Sequence, residues 1–514
     1  YTLQSKSETK YNNATNKVDM YELKIISYVC DSLLKYIYLL KPNKRVYIAF
    51  DGVAPMAKLN QQRNRRYMTA YQSKLDQTDQ TEKNTHTWNT SAITPGTEFM
   101  RKLGTLIIAR FSNPQEFGLD KIIVSTSEQH GEGEHKIYDY IRTNAAYHKD
   151  TYTVIYGLDA DLIMLTLNHL HVSENMYLFR ETPEFIKNLD KTLNPNETYL
   201  LDIPLFARTI INELSTDDYN YSKDHENVSS ISLNNDILFD YIFMCFFLGN
   251  DFLPHFPALN IRTNGINRLI DAYKIVFIQK GNTLTKNREI VWKNVRVFVD
   301  YLAKNELIYI KEEYIQRDKL SKRTLVDEKV KEKQNVEFDD TLMLPIKERS
   351  VELYINPNEF GWESRYYKSL FNKRIDDELR KTISTNYLEG LEWTMKYYST
   401  GCADWRWVYK YYYPPLLVDL IKYVPYINQN QSFVPLKPEN PVSPLVQLSY
   451  VLPPSSMDLL PLEIRVKLLK EKPDWYLGNY NFLWSFCKFF WEAHVDLPDI
   501  DITQLEEIIN RNKL

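Results

Sequence analysis

Apolar positions along the chain fall into two rhythms. Four short runs are β-branched and aromatic: "VYIAF" (46–50), "KIIVST" (121–126), "YTVIYG" (152–157) and "MYLF" (176–179). All four read as strands, and the first has the look of one buried on both faces of a parallel sheet. The stretches between them carry helical spacing, so residues from about 20 to 305 alternate strand with helix. That alternation predicts an α/β fold, a largely parallel central sheet flanked by helices. From about 311 to 350 the pattern dissolves into mixed charge, "KEEYIQRDKLSKRTLVDEKVKEKQ", which reads as a linker or a solvated helix. Beyond it the chain is rich in aromatic residues and proline, as in "YLEGLEWTMKYYSTGCADWRWVYKYYYPP". The division expected is 1–305 for the α/β part, 306–350 for a charged linker or insertion, and 351–514 for a second region.

Composition narrows this further. At 514 residues the chain exceeds what one hydrophobic core usually supports. A net charge of −4 leaves no global basic footprint, so nucleic-acid contact would have to come from a local patch. Cys30, Cys245, Cys402 and Cys487 lie far apart without metal-ligand spacing. They read as reduced thiols of an intracellular protein, cytoplasmic or nuclear. No stretch is apolar enough to span a bilayer and no secretory signal is visible.

Chemistry concentrates where the apolar runs stop. After "VYIAF" come Asp51, Gly52 and Pro55, a tight turn at the strand end where open α/β sheets bind ligands. A helix beyond it would carry Lys58, Gln62, Arg65 and Arg66 on one face. An acid beside cationic and amide donors suits a site holding a metal together with a phosphate, although a solvated surface helix fits this segment equally. "GEGEH" places Glu132 and Glu134 around Gly133 where a helix begins, and a dipole-matching helix start accounts for one of them. "YGLDADLIML" ends an apolar run in Asp159 and Asp161, which strand alternation would put on one side, repelling each other without a cation. "FFLGNDFLPHFP" thrusts Asp251 out of apolar surroundings. Six carboxylates that each follow a core element fit two divalent ions about 3.5–4 Å apart, of the kind that activate water against a phosphodiester. Oxygen ligands favour magnesium or manganese over zinc. His130, His135 and His255 lie beside these motifs and are read as packing or acid-supporting groups.

"DGVAPMAKLNQQRNRRY", "ITPGTEFM" (93–100), "GEGEHKIYDYIR", "YGLDADLIMLTL" and "FFLGNDFLPHFP" resemble, in order and wording, the Xrn family of 5′→3′ exoribonucleases. The likeness continues through "YLEGLEWTMKYYSTGCADWRW" and "PSSMDLLP", so it covers most of the chain. It implies a nuclease-like catalytic core with a mostly helical second region packed against it and closing the active-site pocket. It implies magnesium-dependent removal of nucleotides from single-stranded RNA bearing a 5′-monophosphate. Asp51, Glu132, Glu134, Asp159, Asp161 and Asp251 would then hold metal, and Lys58, Gln62, Arg65 and Arg66 the terminal phosphate. Trp405 and Trp407 would be the candidates for base stacking, with burial in an aromatic-rich core as the alternative for each. An inactive RNA-binding scaffold and a flap-type DNA nuclease are the competing functions. The sequence departs from the family in His130, where a proline is usual, in "VYKYYYPP", and in lacking a match to the family's opening segment, which with the start at Tyr1 reads as a missing N-terminal piece.

Overall fold

All four expected strands form, and a fifth joins them. In a computed structural model, the structure describes residues 2–511 apart from 80–87, 158, 182–191, 195–196, 216–231, 279–280, 334–340, 374–375, 428–431, 438–439 and 479. Strand β1 (Arg45–Ala49) pairs in parallel with β2 (Lys121–Ser125). Strand β3 (Thr153–Tyr156) pairs in parallel with β4 (Met176–Glu181), and β4 pairs antiparallel with β5 (Thr198–Asp202). The single, largely parallel central sheet expected from the sequence is therefore not what forms among the described residues: these five strands divide into a pair and a mixed triplet, and two short antiparallel pairs lie elsewhere in the chain. Side chains link the two instead. Arg45 of β1 donates to the Tyr140 hydroxyl (3.2 Å), the Tyr140 ring meets His148 edge-on, and His148 bonds Thr153 of β3 (2.9 Å).

Helices supply most of the rest. The first, α1 (Thr2–Leu40), lays Ile26 and Ile37 into a small core with β1 and α3 (Glu98–Arg110). The helix α2 (Met56–Asp79) starts after the β1 turn, and α4 (Gly133–Thr143) after the β2 turn. Both turns thus open at the same end of the β1–β2 pair.

Residues 306–333 form neither the linker nor the fully solvated helix that their charge implied. A helix, Trp292–Lys333, runs without a break across the expected boundary at 305 and buries Glu306, Ile310, Glu313, Tyr314 and Arg317. These positions recur at helical spacing, and the charged ones are paired: Arg317 meets Glu352 through two bonds of 2.9 and 2.6 Å, and Arg268 meets Glu313 at 3.0 Å. The sequence pattern hid an inward-facing stripe because several of its members are ions. The largest hydrophobic core draws on residues from Ala57 to Phe486, so the two halves share one interior. A second core packs Val53, Met56 and Leu59, at the start of α2, against Val446, Leu452 and Ile508 from the far end of the chain. Among the described residues no helix is long and apolar enough to cross a membrane.

Candidate active site

The turns after β1 and β2 are stitched together by backbone. Gly52 donates to the Gly131 carbonyl (2.9 Å), and Gly131 donates to that of Val53 (2.7 Å). A Cβ on Gly52 would lie 1.7 Å from the Gln129 carbonyl oxygen, so only glycine admits this approach. Lys136 of α4 reaches back and donates to the carbonyls of Phe50 and Thr126, both at 2.8 Å. Burial pulls its pKa down to about 8, against the pull of Asp51. Sequence reading passed over Lys136, because nothing in "GEGEHK" separates a pin of this kind from an ordinary helix charge.

Asp51 is thereby fixed, its Oδ1 accepting the Gly133 N–H at 2.6 Å at the start of α4. Glu132 precedes that helix in extended backbone and spends neither oxygen on capping it. Its side chain turns inward instead and is buried. Oε2 lies 2.6 Å from the Lys58 ammonium, and Oε1 accepts the Tyr397 hydroxyl at 2.8 Å. Lys58 also meets Asp251 Oδ2 at 2.6 Å. Asp251 is aimed by Asn250, whose Oδ1 accepts the N–H groups of Phe252 and Leu253, each at 2.9 Å. Gly249, at φ 86°, ends the apolar helical run before it.

Asp161 arrives by a different route from the one expected. The strand stops at Tyr156, and Asp161 is the first residue of the helix Asp161–His169, with Asp159 exposed in the loop before it. Strand alternation does not align the pair; the helix start orients Asp161. The charges are nonetheless coupled. Burial, then the carboxylate of Glu132, pushes Glu134 up to about 8. Burial, then Asp251, pushes Asp161 up to about 6. Burial outweighs Lys58 in raising Glu132. Lys58 itself is driven down by burial but further up by Glu132 and Asp251, so it stays charged. Among the described residues, Lys58 is the only ammonium bonded to these acids, which outnumber it.

The histidines divide. The Glu132, Glu134 and His135 donor atoms all lie within 4.8 Å of one another. His135 is nevertheless stacked on Tyr397, ring centroids 3.7 Å apart, and burial holds it well below its usual pKa. His255 is half-buried, with desolvation taking its pKa down to about 4, and His130 stands T-shaped to Trp405 at 5.3 Å.

The expected phosphate face also divides. Lys58 lies inside the acid cluster, Gln62 is buried with its Oε1 unpartnered, Arg65 is exposed and Arg66 half-buried. Arg66 donates only weakly to the Ile93 carbonyl (3.4 Å) and leaves Nε without a partner. Burial and the neighbouring Arg65 lower its pKa to about 10. Of the two tryptophans, Trp407 is buried and stacks on Trp393 at 5.2 Å. Trp405 is half-buried, and its carbonyl accepts the Met56 N–H (3.0 Å) at the head of α2.

Sequence comparison places the chain in a family. Residues 2–182 match the model of the XRN 5'-3' exonuclease N-terminus, and residues 233–357 and 354–511 match that of the Xrn1 helical domain. The chain belongs to the XRN 5′→3′ exonuclease family. The turns that carry Asp51, Glu132, Glu134, Asp159 and Asp161 fall in the first match, whereas Asp251 and Tyr397 fall in the second. Among similar proteins, a 5'-3' exoribonuclease 2 homolog of Drosophila melanogaster is 30% identical over 91% of this chain and 60% of its own length. The 5'-3' exoribonuclease 1 of Schizosaccharomyces pombe is 28% identical over 91% of this chain and 42% of its own. The 5'-3' exoribonuclease 1 of Saccharomyces cerevisiae is 27% identical over 95% and 39%. The chain therefore spans between about two-fifths and three-fifths of the length of these relatives.

Proposed function

We propose that this chain hydrolyses single-stranded RNA from a 5′-monophosphate end, releasing mononucleotides, by two-metal catalysis. The observation that carries the reading is the convergence of Glu132 and Asp251, from separate parts of the chain, on Lys58 at the head of a helix that goes on to Gln62, Arg65 and Arg66. The donors suit a divalent metal: they are predominantly carboxylate oxygens, they crowd one another enough to raise Glu134 and Asp161, and Lys58 supplies the only ammonium bonded between them among the described residues. Asp51, Glu132, Glu134, Asp159, Asp161 and Asp251 would hold magnesium or manganese, which supplies an activated water and charge stabilisation at the leaving oxygen.

The remaining work falls to the chain's own groups. Arg65, Arg66 and Gln62 donate to a terminal phosphate dianion, which a 5′-hydroxyl cannot replace and a triphosphate overfills. Lys58 stands between phosphate face and acids; Glu132 and Asp251 take two of its three N–H donors, and the third can bond an anionic oxygen. Trp405 offers a ring at the mouth of the turns for the first bases. Tyr397 and Asp251 bring the second region onto the acids through Glu132 and Lys58, and a site closed from that side would take a strand end, which favours exonuclease over flap or internal cleavage. Asp159→Ala tests this reading. Turnover of 5′-monophosphate RNA should fall by about 10²–10³-fold, the scale of losing one preorganised electrostatic contact, with the circular dichroism spectrum unchanged. Full activity in that variant refutes the metal-ligand set.

A further inference from the structure

Four aromatic rings form a continuous stack that ends on the acid cluster. Trp407 lies on Trp393 (centroids 5.2 Å, 24° between planes), Trp393 on Tyr397 (4.8 Å, 27°), and Tyr397 on His135 (3.7 Å, 24°). Trp393 and Tyr397 share one face of the helix Asp377–Ser399 by their spacing of four. The column is locked at several points. Trp393 Nε1 donates to the Asp404 carbonyl (2.8 Å), and a Cβ on Gly390 would fall 2.9 Å from Trp407 Cη2, so glycine makes room for that ring. Phe252, adjacent to Asp251, stands T-shaped to both Trp393 and Tyr397, with centroids 4.9 and 5.6 Å away.

At the end of this column the Tyr397 hydroxyl, wholly buried, donates to Glu132 Oε1 at 2.8 Å. Lys58 holds the other oxygen. Glu132 is thus gripped on one side by its own nuclease region and on the other by the helical region. We propose that Tyr397 is a positioning residue for the metal site: its hydroxyl sets the orientation of the Glu132 carboxylate, and the ring stack behind it makes the helical region part of the catalytic geometry. The inference rests on the reading of Glu132 as a metal ligand. A hydrogen bond to a ligating carboxylate typically changes metal affinity by about 10–100-fold.

The test is Mn²⁺ binding to the whole chain, followed by electron paramagnetic resonance without RNA. Tyr397→Phe keeps the ring and deletes only the hydroxyl, and should weaken Mn²⁺ by at least about 10-fold. Added to Glu132→Gln, it should cost nothing more, because the hydroxyl acts through that carboxylate. Trp393→Phe, which loosens the stack but leaves the hydroxyl, should weaken Mn²⁺ less. Unchanged affinity in Tyr397→Phe, or losses that simply add to those of Glu132→Gln, overturns the positioning role while leaving the metal site standing. A greater loss in Trp393→Phe than in Tyr397→Phe makes the contribution one of packing and overturns it as well. A wild-type chain that binds no Mn²⁺ overturns the metal-site reading and this inference with it.

Discussion

Lys58 and Asp251, 193 positions apart, are joined by a 2.6 Å bond from ammonium to carboxylate. The bond ties the first helix after β1 to the loop at the entrance of the helical region. The same ammonium holds Glu132, so one cation organises acids from two separate turns.

Removing it should expose that dependence. Lys58→Met leaves Glu132 buried without its cation, while Asp251, about a third exposed at 32%, keeps some solvent. The cost in chelator should be about 3 kcal/mol, the low end for breaking a buried pair. Added Mn²⁺ should recover most of it, raising the melting temperature of the variant more than that of the wild type. Equal metal-induced shifts would contradict the account of Lys58 as the cluster's internal counter-charge.

Arg66 makes a different prediction. Its guanidinium is half-buried with one weak acceptor and an unpartnered Nε, a group arranged for an anion. Arg66→Ala should lower the preference for 5′-monophosphate over 5′-hydroxyl RNA by about 10–100-fold, the loss of one charge-assisted bond. Competition between the two labelled RNAs measures the ratio directly; an unchanged ratio removes Arg66 from the phosphate site.

A third prediction concerns stability, and lies in the stretch that sequence reading took for a linker. Glu306 is fully buried, accepting the N–H groups of Leu417 (2.7 Å) and Val418 (3.0 Å) at the start of the helix Leu417–Tyr423. Burial pushes its carboxyl up to about 8, only partly offset by those two donors. The folded chain then holds a proton that the unfolded chain has released. This contribution is fully present below the ordinary glutamate range and is lost as pH rises through about 8. Urea unfolding from mildly acidic pH up to about 8 should show that decline. Glu306→Gln should be less stable at neutral pH by about 1–3 kcal/mol, since its amide cannot accept both N–H groups, but should lose the slope. A slope retained in the variant assigns the titration elsewhere.

Much of the site was legible because its residues sit where apolar runs stop. Asp51, Glu132 and Asp251 could be found without seeing how the chain folds, since each is an ion stranded beside core sequence. The parallel pairings of β1 with β2 and β3 with β4 followed from their continuous hydrophobicity, but whether the two pairs join depends on contacts such as Arg45 with Tyr140 that no local pattern carries. The helix Trp292–Lys333 was misread because its inward stripe uses Glu306, Glu313 and Arg317, whose partners lie elsewhere in sequence. Trp405 and Trp407 are identical in type and two apart, so only packing against Trp393 separates a buried ring from an available one. Tyr397 was quoted within a motif but carried no chemical signal, because a tyrosine in an aromatic-rich helix looks like core until its hydroxyl is seen on Glu132.

The most direct measurement uses three single-stranded RNAs of one sequence, labelled at the 3′ end and differing only in a 5′-monophosphate, triphosphate or hydroxyl. Each is incubated with the chain in magnesium and again in excess chelator. The account predicts loss of the monophosphate RNA alone, only with magnesium, with mononucleotides as product. RNA that is bound but not cut in magnesium, or cut regardless of its 5′ end, would contradict it.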